Sequence, residues 1–544
     1  MEQLGSIRRF WQWFAALSFL FLLIAAGRWI LDHHFGIHWD EAGYFNQAVT
    51  NIWRFHSGSV KKIGGVFLAG DSSRPPAYRL VVLPFIALFG FHIAVARFVS
   101  LALFTVSTWV LYLTTRRVGN SLAAAFAVLV FCLAPEVVSA AIYFSTEGTL
   151  FVAISAMLYF LSAYWGAGEQ QSINWVGLAM AIGLGLLSKA TFALIAFPIL
   201  GYTLIASYRR HGTLNFVPWV KAGALAFLVA GPWWLINIRP ALGYAKFALD
   251  QPRNSLGGGP HAFERWLSTI VQGLLGHGLS ILILLIAAFA FYKIVVRREV
   301  VFDPVQRTAL IACTCGVVPI VLIQLAGTND LLRYLTPAII PFAIVVGLLA
   351  DKTGWTRWPL ACASALCFGI QLLMLVFPVL SPNTEAVDPG FANGGLPWRI
   401  MIRFDQWDWK PVQKIGQNCG LQTPAISYLG NGRAFNPRQI EYPWILEGAT
   451  LPEPYWLWRY ENGPLDWQKV LGAVSQSDMV LTAPHYVGQA SDKQDLDNQH
   501  NAEFADRLSQ DARFRGPIRL EMGRFEPVEV LVFLRKDLVC HGGD

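Results

Sequence analysis

Apolar runs long enough to cross a bilayer recur along this chain from Phe10 to Phe377, and several of the short loops between them carry a basic pair. A run of that kind has few folding options. In hydrocarbon every backbone N–H and C=O needs a partner within the protein, so a spanning segment is a helix or a strand of a closed barrel. Runs of about 20 residues match a helix crossing a core about 30 Å thick. The first, residues 10–31, has 22 residues. Only 14% of the chain is charged and 54% is hydrophobic, whereas soluble domains carry about 25% charged residues. These features describe an α-helical polytopic membrane protein. No signal-peptide cleavage pattern follows the first run, which is expected to stay as an anchor. The net charge of +7 does not argue for nucleic acid, because much of the basic charge sits in short loops, as membrane orientation requires.

Spans are expected at about 10–31, 94–115, 121–140, 148–165, 174–188, 190–207, 217–237, 266–292, 308–326, 334–350 and 356–378, which is eleven, within a range of about 11–13. Arg8 and Arg9 hold the N-terminus in the cytoplasm. Counting from there puts Arg116-Arg117, Arg209-Arg210, Arg297-Arg298, Lys352 and Arg357 on the same face. Segment 79–91 is short, contains Pro84 and reads as a half-inserted or interfacial helix. Residues 1–380 would form the membrane domain, with a first external loop at 32–93.

Beyond residue 381 the chain turns polar and rich in Trp, Pro and Asp. Residues 381–544 are the size of one domain. Strand-like runs at 425–429, 479–481, 518–522 and 528–534 alternate with helix-like patterns at 465–475 and 501–511, which predicts a soluble α/β domain. An odd span count places it outside the cell membrane, on the periplasmic side if the membrane is a cytoplasmic (inner) one. Cys132, Cys313, Cys315, Cys362 and Cys367 lie in apolar segments and read as small core residues. Cys419 and Cys540 fall in the external domain, where a disulfide and two free thiols are both open readings.

The same threading gathers polar residues at the outer ends of spans: Asp40, Glu41, Arg74, Glu147, Lys189, Asn237, Arg239, Arg333 and Tyr334. Ionisable groups beside hydrocarbon are costly and face a cavity or one another; singly, each is also explained as an end residue reaching for water. Asp40 and Glu41 open a segment whose apolar residues, at 44, 45, 48, 49, 52 and 53, have helical spacing, as in a helix lying on the membrane surface. Asp40 suits an N-cap and equally a general base. Arg74-Pro75-Pro76-Ala77-Tyr78 is an extended segment that would hold Arg74 and Tyr78 near the surface. Lys189, Arg239 and Arg333 suit a phosphate.

The motifs occur in a definite order. Asp-Glu-x-x-Tyr follows the first span, then comes x-Pro-Pro-x-Tyr, then an acid opening a later span. Ser-Lys-Ala-Thr-Phe, Gly-Pro-Trp-Trp-Leu-Ile-Asn and Arg-Tyr-Leu-x-Pro follow, the last spanning Arg333 to Pro337. Over about residues 10–350 this resembles the multi-spanning, lipid-phosphate-sugar-dependent glycosyltransferases. These are the protein O-mannosyltransferase superfamily and its bacterial relatives, among them the transferase that adds aminoarabinose to lipid A. The resemblance implies the C-type glycosyltransferase fold with an outward cavity, a polyprenyl-phosphate sugar donor and transfer with inversion. It implies that Asp40, with Glu41 beside it, is the first-loop catalytic acid and Glu147 the second acidic position. Lys189, Arg333 and Tyr334 match positions near the donor phosphate, and Arg74 stands where His or Lys commonly precedes the proline.

The implied chemistry is a balance of charge. An acceptor hydroxyl must lose a proton to a carboxylate, and cations stabilise the charge growing on the leaving phosphate. No Asp-x-Asp pair in an outer loop offers to hold a divalent ion, so neither metal nor cofactor is expected. The acceptor is open between a glycan, lipid A and a protein hydroxyl, and the partners are otherwise membrane lipids. A transporter or flippase for lipid-linked sugars, or a polymerase partner, is the alternative. Such a protein would more often show internal repeats and has no need of an external domain.

Overall fold

The computed structural model describes residues 2–34, 39–68, 71–166, 174–212, 216–250, 267, 270–326, 334–352, 358–376, 407–430, 435–449, 452–457, 465–486, 500–523 and 527–540. It divides into two compact units. The first is Met1–Ile30, Gly64–Val81 and Arg97–Ile402; the second is Leu31–Ile63, Val82–Ala96 and Arg403–Asp544. The second unit therefore joins segments that follow the first long helix to the C-terminal residues.

The first unit is helical. Among the described residues, seven helices are long and apolar enough to span a membrane: Ser6–Asp32, Ile93–Val118, Glu147–Trp165, Phe192–Arg210, Val217–Lys246, Gly276–Val296 and Pro304–Ile323. Shorter helices occupy other expected spans, at Trp175–Ser188, Ile339–Lys352 and Trp358–Val376. The span expected at 121–140 is not one rod. It is two helices, Ser121–Leu133 and Pro135–Ile142, bent by 67°. Pro135 causes the break, since it offers no N–H to the ladder and its ring collides with the carbonyl of the preceding turn. Asn120 starts the first half, accepting from the Leu122 and Ala123 amides at 2.8 and 3.2 Å. The short 79–91 segment is a helix, Ala77–Phe89, with Pro84 inside it.

Glycines let the helices approach closely, as in other membrane bundles. A Cβ on Gly347 would sit 2.3 Å from the Ala123 carbonyl oxygen, and one on Gly183 would sit 2.9 Å from a Val229 methyl. Helix Ile339–Lys352 thus packs on Ser121–Leu133, and Trp175–Ser188 on Val217–Asp250.

The second unit contains a five-stranded sheet of order β2-β1-β3-β5-β4, from β1 (Ile426–Tyr428), β2 (Tyr455–Trp456), β3 (Met479–Thr482), β4 (Phe514–Met522) and β5 (Val528–Arg535). β1 pairs parallel with β2 and β3, while β5 runs antiparallel to β3 and β4. Alternation along β5 builds two cores. Val530, Val532 and Leu534 join Trp409, Tyr428 and Trp444 in one. Leu531 and Phe533 join Phe504 and Leu508 in the other.

Cys419 and Cys540 are bonded across 121 residues of chain. Restricting a loop that long in the unfolded chain is worth about 2–5 kcal/mol. Replacing both by Ser is expected to lower the unfolding free energy of this unit by that amount. A non-reducing peptide map returning both thiols free would contradict the bond.

Candidate active site

Within the helical unit the pieces assemble around Lys189. Helix Trp175–Ser188 ends there. Lys189 is extended, φ −161° and ψ 141°, with its N–H on the Gly185 carbonyl. The next helix begins at Phe192. Gly185 makes the tight break feasible, because a Cβ at that position would lie 2.4 Å from the Phe192 ring. Lys189 Nζ donates to Glu147 Oε1 at 2.5 Å, and lies 4.9 Å from the centre of the Tyr334 ring. Glu147 opens helix Glu147–Gly166, where the positive end of the helix favours a carboxylate. Thr146 donates its hydroxyl to the other carboxylate oxygen at 3.1 Å. The side chains are 5% exposed for Glu147 and 17% for Lys189. At such burial the pair holds its geometry, and loss of one member strands the other.

The loop before helix Ala77–Phe89 is fixed on the same unit. Asp71 Oδ1 accepts from the Ser73 amide at 2.9 Å, the Ser73 hydroxyl at 2.6 Å and the Arg74 amide at 3.1 Å. Burial alone would raise the Asp71 carboxyl. The Ser73 hydroxyl and the Arg74 and Arg79 guanidinia outweigh it and hold the group below the ordinary carboxylate range. Arg74 donates to the Tyr244 hydroxyl at 2.8 Å and lies over its ring. Asn237 donates to the Leu68 carbonyl at 2.6 Å, so the long helix Val217–Asp250 ties this loop at two points. Tyr78 is buried, its ring 5.9 Å from that of Phe144.

The expected site residues thus fall into groups. Glu147, Lys189 and Tyr334 meet. Arg74 and Tyr78 are held nearby in sequence by Tyr244 and Phe144. Arg239 lies exposed on Val217–Asp250 and joins neither group. Arg333 lies outside the described residues. Asp40 and Glu41 occupy the first turn of helix Trp39–His56 in the other unit, Asp40 half-buried and Glu41 buried. Sequence reasoning missed Tyr244, because the span was ended before Pro240 and the helix continues through it. It missed Asp71 too, although Asp-Ser-Ser-Arg ahead of two prolines is the pattern of a side-chain-capped turn. Among the described residues no three His, Cys, Asp or Glu side chains group as metal ligands would.

Helix Trp39–His56 is anchored by the C-terminal residues of its own unit. Asn46 Nδ2 donates at 2.9 Å to both Glu441 Oε1 and the Arg438 carbonyl. Trp53 donates to the Ile445 carbonyl at 3.0 Å, and the Phe45 and Tyr442 rings are 5.8 Å apart. Burial raises the Glu441 carboxyl above its ordinary value, and Arg438 and Asn46 offset only part of this. Relative to the unfolded chain, folding therefore disfavours the charged form of Glu441. Its contribution to stability is full below about pH 4.5 and is lost as the pH rises through the higher native value. Asn46→Ala removes a donor from the carboxylate and should cost about 1–3 kcal/mol at neutral pH, recovering on acidification. Hydrogen exchange of the 45–52 amides, measured against pH, checks this. Equal exchange in both proteins at neutral pH would contradict it.

Residues 73–236 match the family described as dolichyl-phosphate-mannose-protein mannosyltransferase. The whole chain is similar in structure to ArnT from Cupriavidus metallidurans in the apo state, at 13% identity and a TM-score of 0.55, covering 95% of this chain and 97% of that one. It is similar to the same protein bound to undecaprenyl phosphate, at 13% identity, the same coverage and a TM-score of 0.53. At that identity the likeness establishes a shared fold. No curated protein is significantly similar to the chain.

Proposed function

We propose that this chain, a multi-pass membrane glycosyltransferase of the C-type fold, moves a sugar from a polyprenyl-phosphate donor to a hydroxyl of an extracytoplasmic acceptor, with inversion. The observation that carries the proposal is the buried Glu147–Lys189–Tyr334 group in a chain that shares its fold with a protein crystallised with undecaprenyl phosphate. Lys189 and Arg74 neutralise charge that grows on the departing phosphate. Glu147 keeps Lys189 aimed and balances its charge while no donor is bound. Asp40 takes the acceptor proton, and Glu41 orients it or contacts the acceptor. The acceptor is a hydroxyl of a glycan, of lipid A or of a protein. The active site and residues 381–544 face the periplasm or its equivalent.

Two measurements test this reading. Native mass spectrometry of the purified protein should find a polyprenyl phosphate or its glycosylated form bound; a protein that binds neither on addition would contradict the donor. For orientation, Ser475 is exposed. A Ser475→Cys probe on a Cys362→Ser background should react with an impermeant reagent in intact cells. Labelling only after lysis would put the C-terminal domain inside.

A further inference from the structure

Arg79 is fully buried, at 0% exposure, and none of its three guanidinium nitrogens has a hydrogen-bond partner. A guanidinium stays charged across the physiological range, and a buried charge ordinarily sits beside a partner that satisfies it. Two other cations of this unit, Arg74 and Lys189, have such partners: Arg74 has Tyr244 and Asp71, and Lys189 has Glu147. Asp71 is within electrostatic range of Arg79. Asp71 Oδ1 accepts from Ser73 and the Arg74 amide, no hydrogen bond joins Asp71 to Arg79, and the guanidinium lies 5.9 Å from the centre of the Tyr78 ring.

The surroundings also suit an anion. Arg79 lies in the first turn of helix Ala77–Phe89, 13 residues long, directly after Pro75 and Pro76. A helix start presents free N–H groups and positive potential to an anion. Side chains on a helix lean toward its N-terminus, and the proximity to Asp71, which precedes the helix, agrees with that direction. The Tyr78–Phe144 contact brings this turn against segment 143–146, where the Ser145 hydroxyl is also buried without a partner. Thr191 Oγ1, two residues beyond Lys189, is a third such group. These buried donors lie on segments that the Glu147–Lys189 pair and the Tyr78–Phe144 contact tie to one another.

We propose that Arg79 binds the oxyanion of a phosphate ester, its fork taking two phosphate oxygens at the start of helix Ala77–Phe89. Two parallel N–H donors fit a phosphate in a way that a single ammonium does not. That the ester is the lipid donor rests on the reading above; that the ligand is an oxyanion rests on Arg79 itself.

The test uses the full chain in lipid nanodiscs, with polyprenyl phosphate, polyprenol and inorganic phosphate as separate probes. In the absence of ligand, Arg79→Met should melt at or above the wild-type Tm, because it removes an unsatisfied buried charge. Its affinity for polyprenyl phosphate should fall at least tenfold, and Arg79→Lys should fall between the two. Polyprenol should shift neither protein. If inorganic phosphate stabilises the wild type through Arg79 and polyprenyl phosphate does not, the anion site stands and the lipid donor is wrong. If polyprenyl phosphate binds wild type and Arg79→Met alike, the donor reading stands and Arg79 is not its ligand. A lower ligand-free Tm in Arg79→Met together with unchanged affinity in Arg79→Lys assigns Arg79 a packing role and overturns the proposal. So does a wild type that binds neither anion.

Discussion

Asp40→Asn is expected to cut sugar transfer by about 10²–10⁴-fold, the usual worth of a positioned general base, while expression and donor affinity stay near wild type. The amide keeps the shape of the side chain and loses its basic oxygen. Asp40 sits in the first turn of Trp39–His56, the helix anchored through Asn46 and Trp53. Glu41→Gln should reduce transfer less. The order is open to contradiction: if Asp40→Asn retains most activity while Glu41→Gln or Glu147→Gln is inactive, the base is one of those other acids.

The second large effect concerns Glu147 and Lys189. Lys189→Met leaves a carboxylate buried without its counter-charge, which typically costs about 3–5 kcal/mol. Glu147→Gln strands the ammonium in the same way. The pair Glu147→Gln with Lys189→Met removes both charges and should regain most of the stability, since a buried ion pair is often replaceable by uncharged side chains. Transfer should not return with it, because the cation meant for the donor phosphate is gone. Thermal unfolding and turnover on all four proteins separate the two effects. Additive losses of stability in the double variant would mean the two groups do not act as a pair.

Much of this was readable in the residues. The expected spans are mostly helical within their described residues, because long apolar runs in hydrocarbon have one economical backbone, and seven of the helices are long enough to cross. The four anticipated strands are present, since β-branched and aromatic runs between turns leave little choice. Local rules faltered where one proline decides geometry. Pro135 breaks a helix that its apolar composition alone would continue, whereas Pro240 is absorbed in Val217–Asp250 and carries Tyr244 to Arg74. The meeting of Glu147 with Lys189, 42 residues apart, is foreshadowed by both lying at ends of apolar runs; contact itself is a matter of how helices pack. Arg79 opens an apolar segment, and nothing in its neighbours in sequence announces that its guanidinium is buried without a hydrogen bond. The attachment of Trp39–His56 to Pro437–Leu446 joins residues nearly 400 apart, through a carbonyl, a carboxylate and an indole that have no periodic signature.

The central claim is that the sugar leaves a lipid phosphate. Purified protein in nanodiscs, given a polyprenyl phosphate carrying a radiolabelled sugar and an envelope extract as acceptor, should release free polyprenyl phosphate in step with label gained by the acceptor, and Asp40→Asn should do neither. Label that stays on the lipid with wild-type protein, or moves equally with Asp40→Asn, would contradict the account.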